Sequence, residues 1–184
     1  MGAFGPIALA AHNVVTQLTR IAFQVSIGLS HGSSVLISRA IGKDDNAQAQ
    51  RIATAALLLG AITTAALGVL YIAASNWVLR PFLDRADSTT MVLAKFFLLL
   101  AIVRQVVDFA QNIAIGLLRG IGKTATGLRV TSVGYWMVGL PPMLLLAFPL
   151  HLHGAGVWIG LSTGFATTAA LLLRRFHQDL PLKT

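Results

Sequence analysis

Five polar side chains, Arg104, Gln105, Asp108, Gln111 and Asn112, stand in the middle of an otherwise apolar run from Phe96 to Gly122. At about 100° per residue they fall within an arc of roughly 120° of one helix. A carboxylate, a guanidinium and three amides on one face can hold charge of either sign and donate or accept hydrogen bonds. A charge at bilayer depth costs at least ~2.5–3.5 kcal/mol on insertion scales, so such residues face a bundle interior or a wet cavity and often mark an ion or substrate route.

The first apolar stretch carries a second polar face. Asn13, Gln17, Arg20, Gln24 and His31 recur every three, four or seven residues, within roughly 60° of helical angle. Two readings are open: a stripe lining an internal polar surface, or an interfacial helix whose stripe is already satisfied. Ile21, Ala22, Phe23, Val25, Ile27 and Leu29 flank the stripe at mid-span, which favours the first. Gly28, Ser30, Gly32, Ser33 and Ser34 are small enough to let helices approach closely.

Composition sets the solvent in which these faces work. The apolar fraction is 55%, the charged fraction 11% and the mean hydropathy +0.75, whereas a water-soluble domain has near a quarter of its residues charged. The formal charge of +8 comes from Lys and Arg scattered at the ends of apolar runs. With no basic cluster interleaved with aromatics, nucleic acid is not an expected partner, and membrane lipids are. Absence of cysteine removes disulfides and thiolate metal sites. His151 and His153 lack further nearby ligands, so no metal site is expected. The opening MGAFGPIALAAHNVV has no signal-peptide pattern. Nothing in the sequence asks for catalysis, and no enzyme is expected.

The elements that must position these residues are helices. The pattern predicts an all-α, polytopic membrane bundle of five transmembrane helices, near residues 8–37, 52–75, 91–118, 127–149 and 155–173, as a single unit over 1–184. Asp44 or Asp45 is placed to cap the second helix. Trp77 and Pro81 mark the following hairpin, and the glycines after Leu118 end the central helix. In the fourth span Gly139, Pro141 and Pro142 predict a kink or break, because two prolines remove two backbone donors and obstruct the preceding carbonyls; it serves either as a bending point or as a structural kink. Arg39, Lys43, Arg51, Arg119, Lys123, Arg129, Arg174, Arg175 and Lys183 lie at one set of span ends, and Arg80, Arg85 and Lys95 at the other. By the positive-inside rule the N-terminus is outside and the C-terminus cytoplasmic.

Several stretches resemble the MATE (multidrug and toxic compound extrusion) transporters. Ala10-Ala11-His12 with its stripe, Gly28-Leu29-Ser30 and the run ending Arg39-Ala40-Ile41-Gly42 look like that family's eighth span. Gln105 to Gln111, continuing through Gly116-Leu117-Leu118-Arg119-Gly120, looks like the tenth. Tyr135 to Pro141 is similar to the eleventh, and Gly154 to Leu161 to the start of the twelfth. The resemblance implies an incomplete six-helix C-terminal lobe lacking its first helix, explained by a truncated gene, a misplaced start codon, or a split transporter whose N-terminal lobe is supplied separately. It also implies an antiporter of the bacterial inner membrane that expels cationic or amphipathic compounds in exchange for Na⁺ or H⁺, with no other cofactor.

Asp108 matches the aspartate that several family members carry in the tenth span for cation binding. It is therefore the expected cation-coupling residue, with Gln105, Gln111, Asn112, Arg104, Asn13, Gln17, Arg20 and Gln24 as expected cavity-lining residues. Arg104 stands where the family more often has an aromatic or apolar residue. One turn before Asp108, it is expected to pair with that carboxylate and partly neutralise the site. Two alternatives remain: a flippase of the same superfamily acting on lipid-linked sugars, and an inactive structural or assembly partner in the membrane.

Overall fold

Long apolar sequence punctuated only at its ends makes long helices, because within a bilayer every backbone N–H and C=O must be satisfied inside its own segment. The computed structural model describes residues 6–75, 77, 79, 88–150 and 153–180, in helices and the short turns that join them. The hairpin residues Arg80, Pro81, Asp84, Arg85 and Asp87, together with His151 and Lys183, lie outside the described residues.

Helix α1 runs over Pro6–Gly42, α2 over Asn46–Ala73 and α3 over Ser88–Gly120. Helix α4 covers Thr124–Val133 and leads through a π-helical segment, Gly134–Gly139, into α5 at Leu140–Ala147. Helix α6 covers His153–Asp179. The turn between α1 and α2 places Asp44 at φ 57°. Asp45 then caps α2, its Oδ1 accepting from the Gln48 amide at 2.8 Å. Helix α3 ends at a glycine in the left-handed region, Gly122 at φ 78°, with the Lys123 amide returning 2.9 Å to the Leu118 carbonyl.

Helix α3 is the centre of the bundle and packs on α1, α2 and α6. Its contact with α1 is made by small residues: a Cβ on Gly116 would stand 2.3 Å from the Ser30 carbonyl oxygen. The Ser30 hydroxyl donates to the Asn112 carbonyl at 2.6 Å across the same contact, and the Tyr71 hydroxyl joins α2 to the Leu18 carbonyl at 3.0 Å. Apolar packing divides in two along α3. Ala94, Phe97, Leu98 and Ala101 join Ala11, Val15, Leu18 and Trp158 in one cluster, and Phe109, Ile113, Ala114, Leu117 and Leu118 join Ile37, Ala53, Leu172 and Phe176 in the other. Arg104, Gln105 and Asp108 lie between the two.

Among the described residues, four helices are long and apolar enough to cross a membrane: Leu9–Gly42, Asn46–Ala73, Thr124–Ala147 and Gly154–Asp179. The count is one fewer than the five expected. The helix outside this group is α3, which has the length, 33 residues, but carries Lys95, Arg104, Asp108 and Arg119 and lies at the bundle centre.

The fourth expected span, 127–149, is helical as far as Ala147 but changes register. The Leu140 amide reaches back five residues to the Tyr135 carbonyl. Pro141 and Pro142 then fall in the first turn of α5, where a missing donor is tolerated. The kink or break expected at Gly139, Pro141 and Pro142 is thus a π turn, a change of hydrogen-bond ladder with no gap in the chain. That turn is seated closely on α6: a Cβ on Gly164 would stand 2.6 Å from the Gly139 Cα.

Candidate functional site

The polar face of α3 turns inward. Gln105, Asp108 and Gln111 are 3%, 6% and 2% exposed, and Arg104 and Asn112 are partly buried. Around them stand His12 on α1, Tyr135 on the π segment, and Trp158 and Phe165 on α6. The last two are seven residues apart and so share one helix face.

Arg104 does not take the partner expected from its sequence position. Its guanidinium carbon lies 5.3 Å from the Trp158 ring centroid and 5.6 Å from that of Phe165, and among the described residues no ion pair joins it to Asp108. Helical geometry explains the choice. Side chains lean toward the N-terminus of their helix, so Arg104 extends away from the residue four positions on, and an acid C-terminal to its base is the poorer orientation for such a pair. Asp108 lies one turn further along the same helix. A buried Trp158 face and a partly buried Phe165 face return about 1–2 kcal/mol to a cation, offsetting part of the ~2.5–3.5 kcal/mol cost of burying one in the membrane.

The aromatic group continues beyond the pair that holds Arg104. The His12 ring meets Trp158 edge-on at 5.5 Å, and Tyr135 lies 5.0 Å from Phe165. Gln111 donates through Nε2 to the Tyr135 hydroxyl, while Asn112 Nδ2 donates back to the Asp108 carbonyl at 3.0 Å. Among the described residues, six buried polar atoms in this neighbourhood carry no hydrogen bond: His12 Nδ1, Arg104 Nε, both amide atoms of Gln105, Gln111 Oε1 and Trp158 Nε1. A buried group left unpaired costs about 1–3 kcal/mol, and such groups gathered beside a carboxylate have the donors and acceptors a polar ligand or water would engage.

The polar stripe of α1 does not join this interior. Asn13, Gln17, Arg20, Gln24 and His31 are all exposed, whereas the buried face of α1 is Ala11, Val15, Leu18, Ala22, Ser26, Ser30, Ser33 and Ile37, on the opposite side of the helix. Small residues on that face permit the close approach to α3, which long polar side chains would block. Arg20 and its stripe therefore line an outer surface of this bundle. Gly28 and Gly32 also face open space, while Ser30 meets Gly116 and the Ser34 carbonyl oxygen would stand 2.8 Å from a Cβ on Gly120. At the end of the stripe the His31 Nδ1 lies 3.2 Å from Arg119 Nη1.

Sequence reasoning missed His12, Trp158 and Phe165 as parts of the site. The seven-residue spacing of the two aromatics was the available signal, and it is indistinguishable from ordinary apolar packing.

This arrangement of helices has counterparts among known proteins. A family model described as MatE matches residues 1–145, and the chain belongs to that family. It is 37% identical over 179 residues to a probable multidrug resistance protein NorM of Mesorhizobium japonicum, and 36% identical over 183 residues to one of Brucella suis. Those alignments cover 96% and 98% of this chain but only 38% and 39% of the relatives, so the chain spans under two fifths of their length. A crystal structure of the eukaryotic MATE transporter AtDTX14 superposes with a TM-score of 0.83 at 21% identity, covering 95% of this chain and 40% of that one. The likeness is one of fold.

Proposed function

We propose that this chain forms part of a secondary active antiporter that moves cationic or amphipathic compounds out of the cell in exchange for Na⁺ or H⁺. The observation that carries this reading is Asp108, a carboxylate 6% exposed, on the helix that every long neighbour contacts and near the buried Gln105, whose two amide atoms carry no hydrogen bond among the described residues. A cation or proton arriving there would change the charge of the bundle centre. Family membership supports transport as the task, and the multidrug names of the relatives support amphipathic compounds as cargo. No covalent bond is made or broken in such work.

The chain would act as part of a C-terminal lobe with five spans, α3 among them, in the bacterial inner membrane, N-terminus outside and C-terminus cytoplasmic. The outward stripe of Asn13, Gln17, Arg20 and Gln24 supports a two-lobe arrangement. A polar face opposite the buried one is costly against lipid, and an aqueous cavity shared with a second, N-terminal lobe would satisfy it. In this reading Asp108 couples the cation, Gln105, Gln111, Asn112 and Arg104 line the interior of the lobe, and the α1 stripe lines the cavity between lobes.

The test is efflux of a fluorescent cationic dye from vesicles carrying the chain joined to an N-terminal MATE lobe, with and without Asp108→Asn. Loss of ion-driven efflux in the variant is expected. Equal efflux would favour the reading of this chain as a structural partner.

A further inference from the structure

The aromatic group between α3 and α6 has the composition of a site for a flat organic cation, and the chain itself places one there. Trp158, which is 4% exposed, and Phe165 each stand under 6 Å from the Arg104 guanidinium carbon, the range in which a ring face attracts a cation. Tyr135 and His12 extend the aromatic surface on either side. Guanidinium is planar, delocalised and weakly hydrated, so it resembles the aromatic and quaternary cations that such surfaces recognise. Its Nε is buried without a hydrogen bond, so the group is held by ring faces and nearby charge rather than fixed by a hydrogen bond at that atom.

We infer that Arg104 is a tethered cation that occupies an aromatic cation site formed by Trp158 and Phe165, and that it excludes free organic cations from the α3–α6 cleft. Two positive charges cannot share the same ring faces, and the tethered one has the higher effective concentration. Arg104 is thus a specificity residue: cargo meets the interior of this lobe away from that cleft unless the guanidinium leaves it. This inference rests on reading the buried belt of α3 as the lobe's cation-recognising region. It is tested by binding to the purified chain, without transport, so its failure is distinguishable from failure of the antiport reading.

Trp77 and Trp136 are exposed, and replacing both with Phe leaves Trp158 as the single tryptophan. The full chain in detergent micelles is titrated with 1-methylpyridinium, a flat cationic quencher, and in parallel with acrylamide, a neutral one. With Arg104 present, quenching by 1-methylpyridinium should not saturate. In Arg104→Met and Arg104→Gln it should saturate with at least tenfold greater sensitivity, while acrylamide quenching changes far less. A gain of equal size for both quenchers, or no gain in either neutral variant that retains its helical circular dichroism, overturns the inference. Saturable quenching with Arg104 in place overturns it without recourse to a variant.

Discussion

The Arg104 guanidinium carbon lies 5.3 Å from the centre of the Trp158 ring on a different helix, while Asp108 stands one turn along its own helix without an ion pair to it. The positive charge at the centre of the bundle is therefore tied to α6, and the negative charge is left available.

The aromatic contact should be measurable as a coupling. In a double-mutant cycle on the purified chain, Arg104→Met and Trp158→Leu should each lower stability. Together they should cost less than their sum, by about 0.5–2 kcal/mol. Thermal or denaturant unfolding in micelles reads this, and strict additivity would show that ring and guanidinium are neighbours without an energetic link.

Two glycines on neighbouring helices should respond in opposite ways to the same methyl group. Gly116→Ala drives a Cβ to 2.3 Å from the Ser30 carbonyl oxygen, so α1 and α3 must separate. A loss of about 1–3 kcal/mol is expected. Gly28→Ala meets nothing within 4 Å and in this chain should be neutral or gain up to about 1 kcal/mol of helix propensity. Melting temperatures of the two variants check the contrast.

The turn between α1 and α2 offers a third check. Asp45→Ala removes the side-chain acceptor of the Gln48 amide and should cost about 1 kcal/mol. Asp45→Asn, which keeps a capping oxygen, should cost much less. Amide exchange at Gln48 should rise in the first variant and stay low in the second.

The all-α architecture, the central place of the Phe96–Gly122 stretch, a cap at Asp44 or Asp45 and the inward face of Gln105, Asp108 and Gln111 were legible in the sequence. Each follows from local pattern: apolar length, helical angle, or a capping side chain at a polar break. The direction of the α1 stripe was not legible, because lipid is as apolar as a bundle core and an apolar face carries no sign of which way it points. The discriminating feature was size, since Ala11, Ala22, Ser26 and Ser30 face α3 where Ile21, Phe23 and Val25 do not. Trp158 and Phe165 escaped notice for a related reason. Their role depends on a guanidinium 54 and 61 positions earlier in the chain, and no local period reports that distance. The π turn at Gly134–Gly139 was visible only as two prolines, whose effect depends on where the helical ladder changes register.

The most direct test of the central claim is ion-driven dye efflux by the chain joined to an N-terminal MATE lobe, compared with the same protein carrying Asp108→Asn. The substitution preserves size while removing the titratable charge, and the account predicts that efflux falls at least tenfold with the protein still folded and inserted. Undiminished efflux, with the same dependence on Na⁺ or H⁺, would contradict the assignment of Asp108 as the residue that couples cation to cargo.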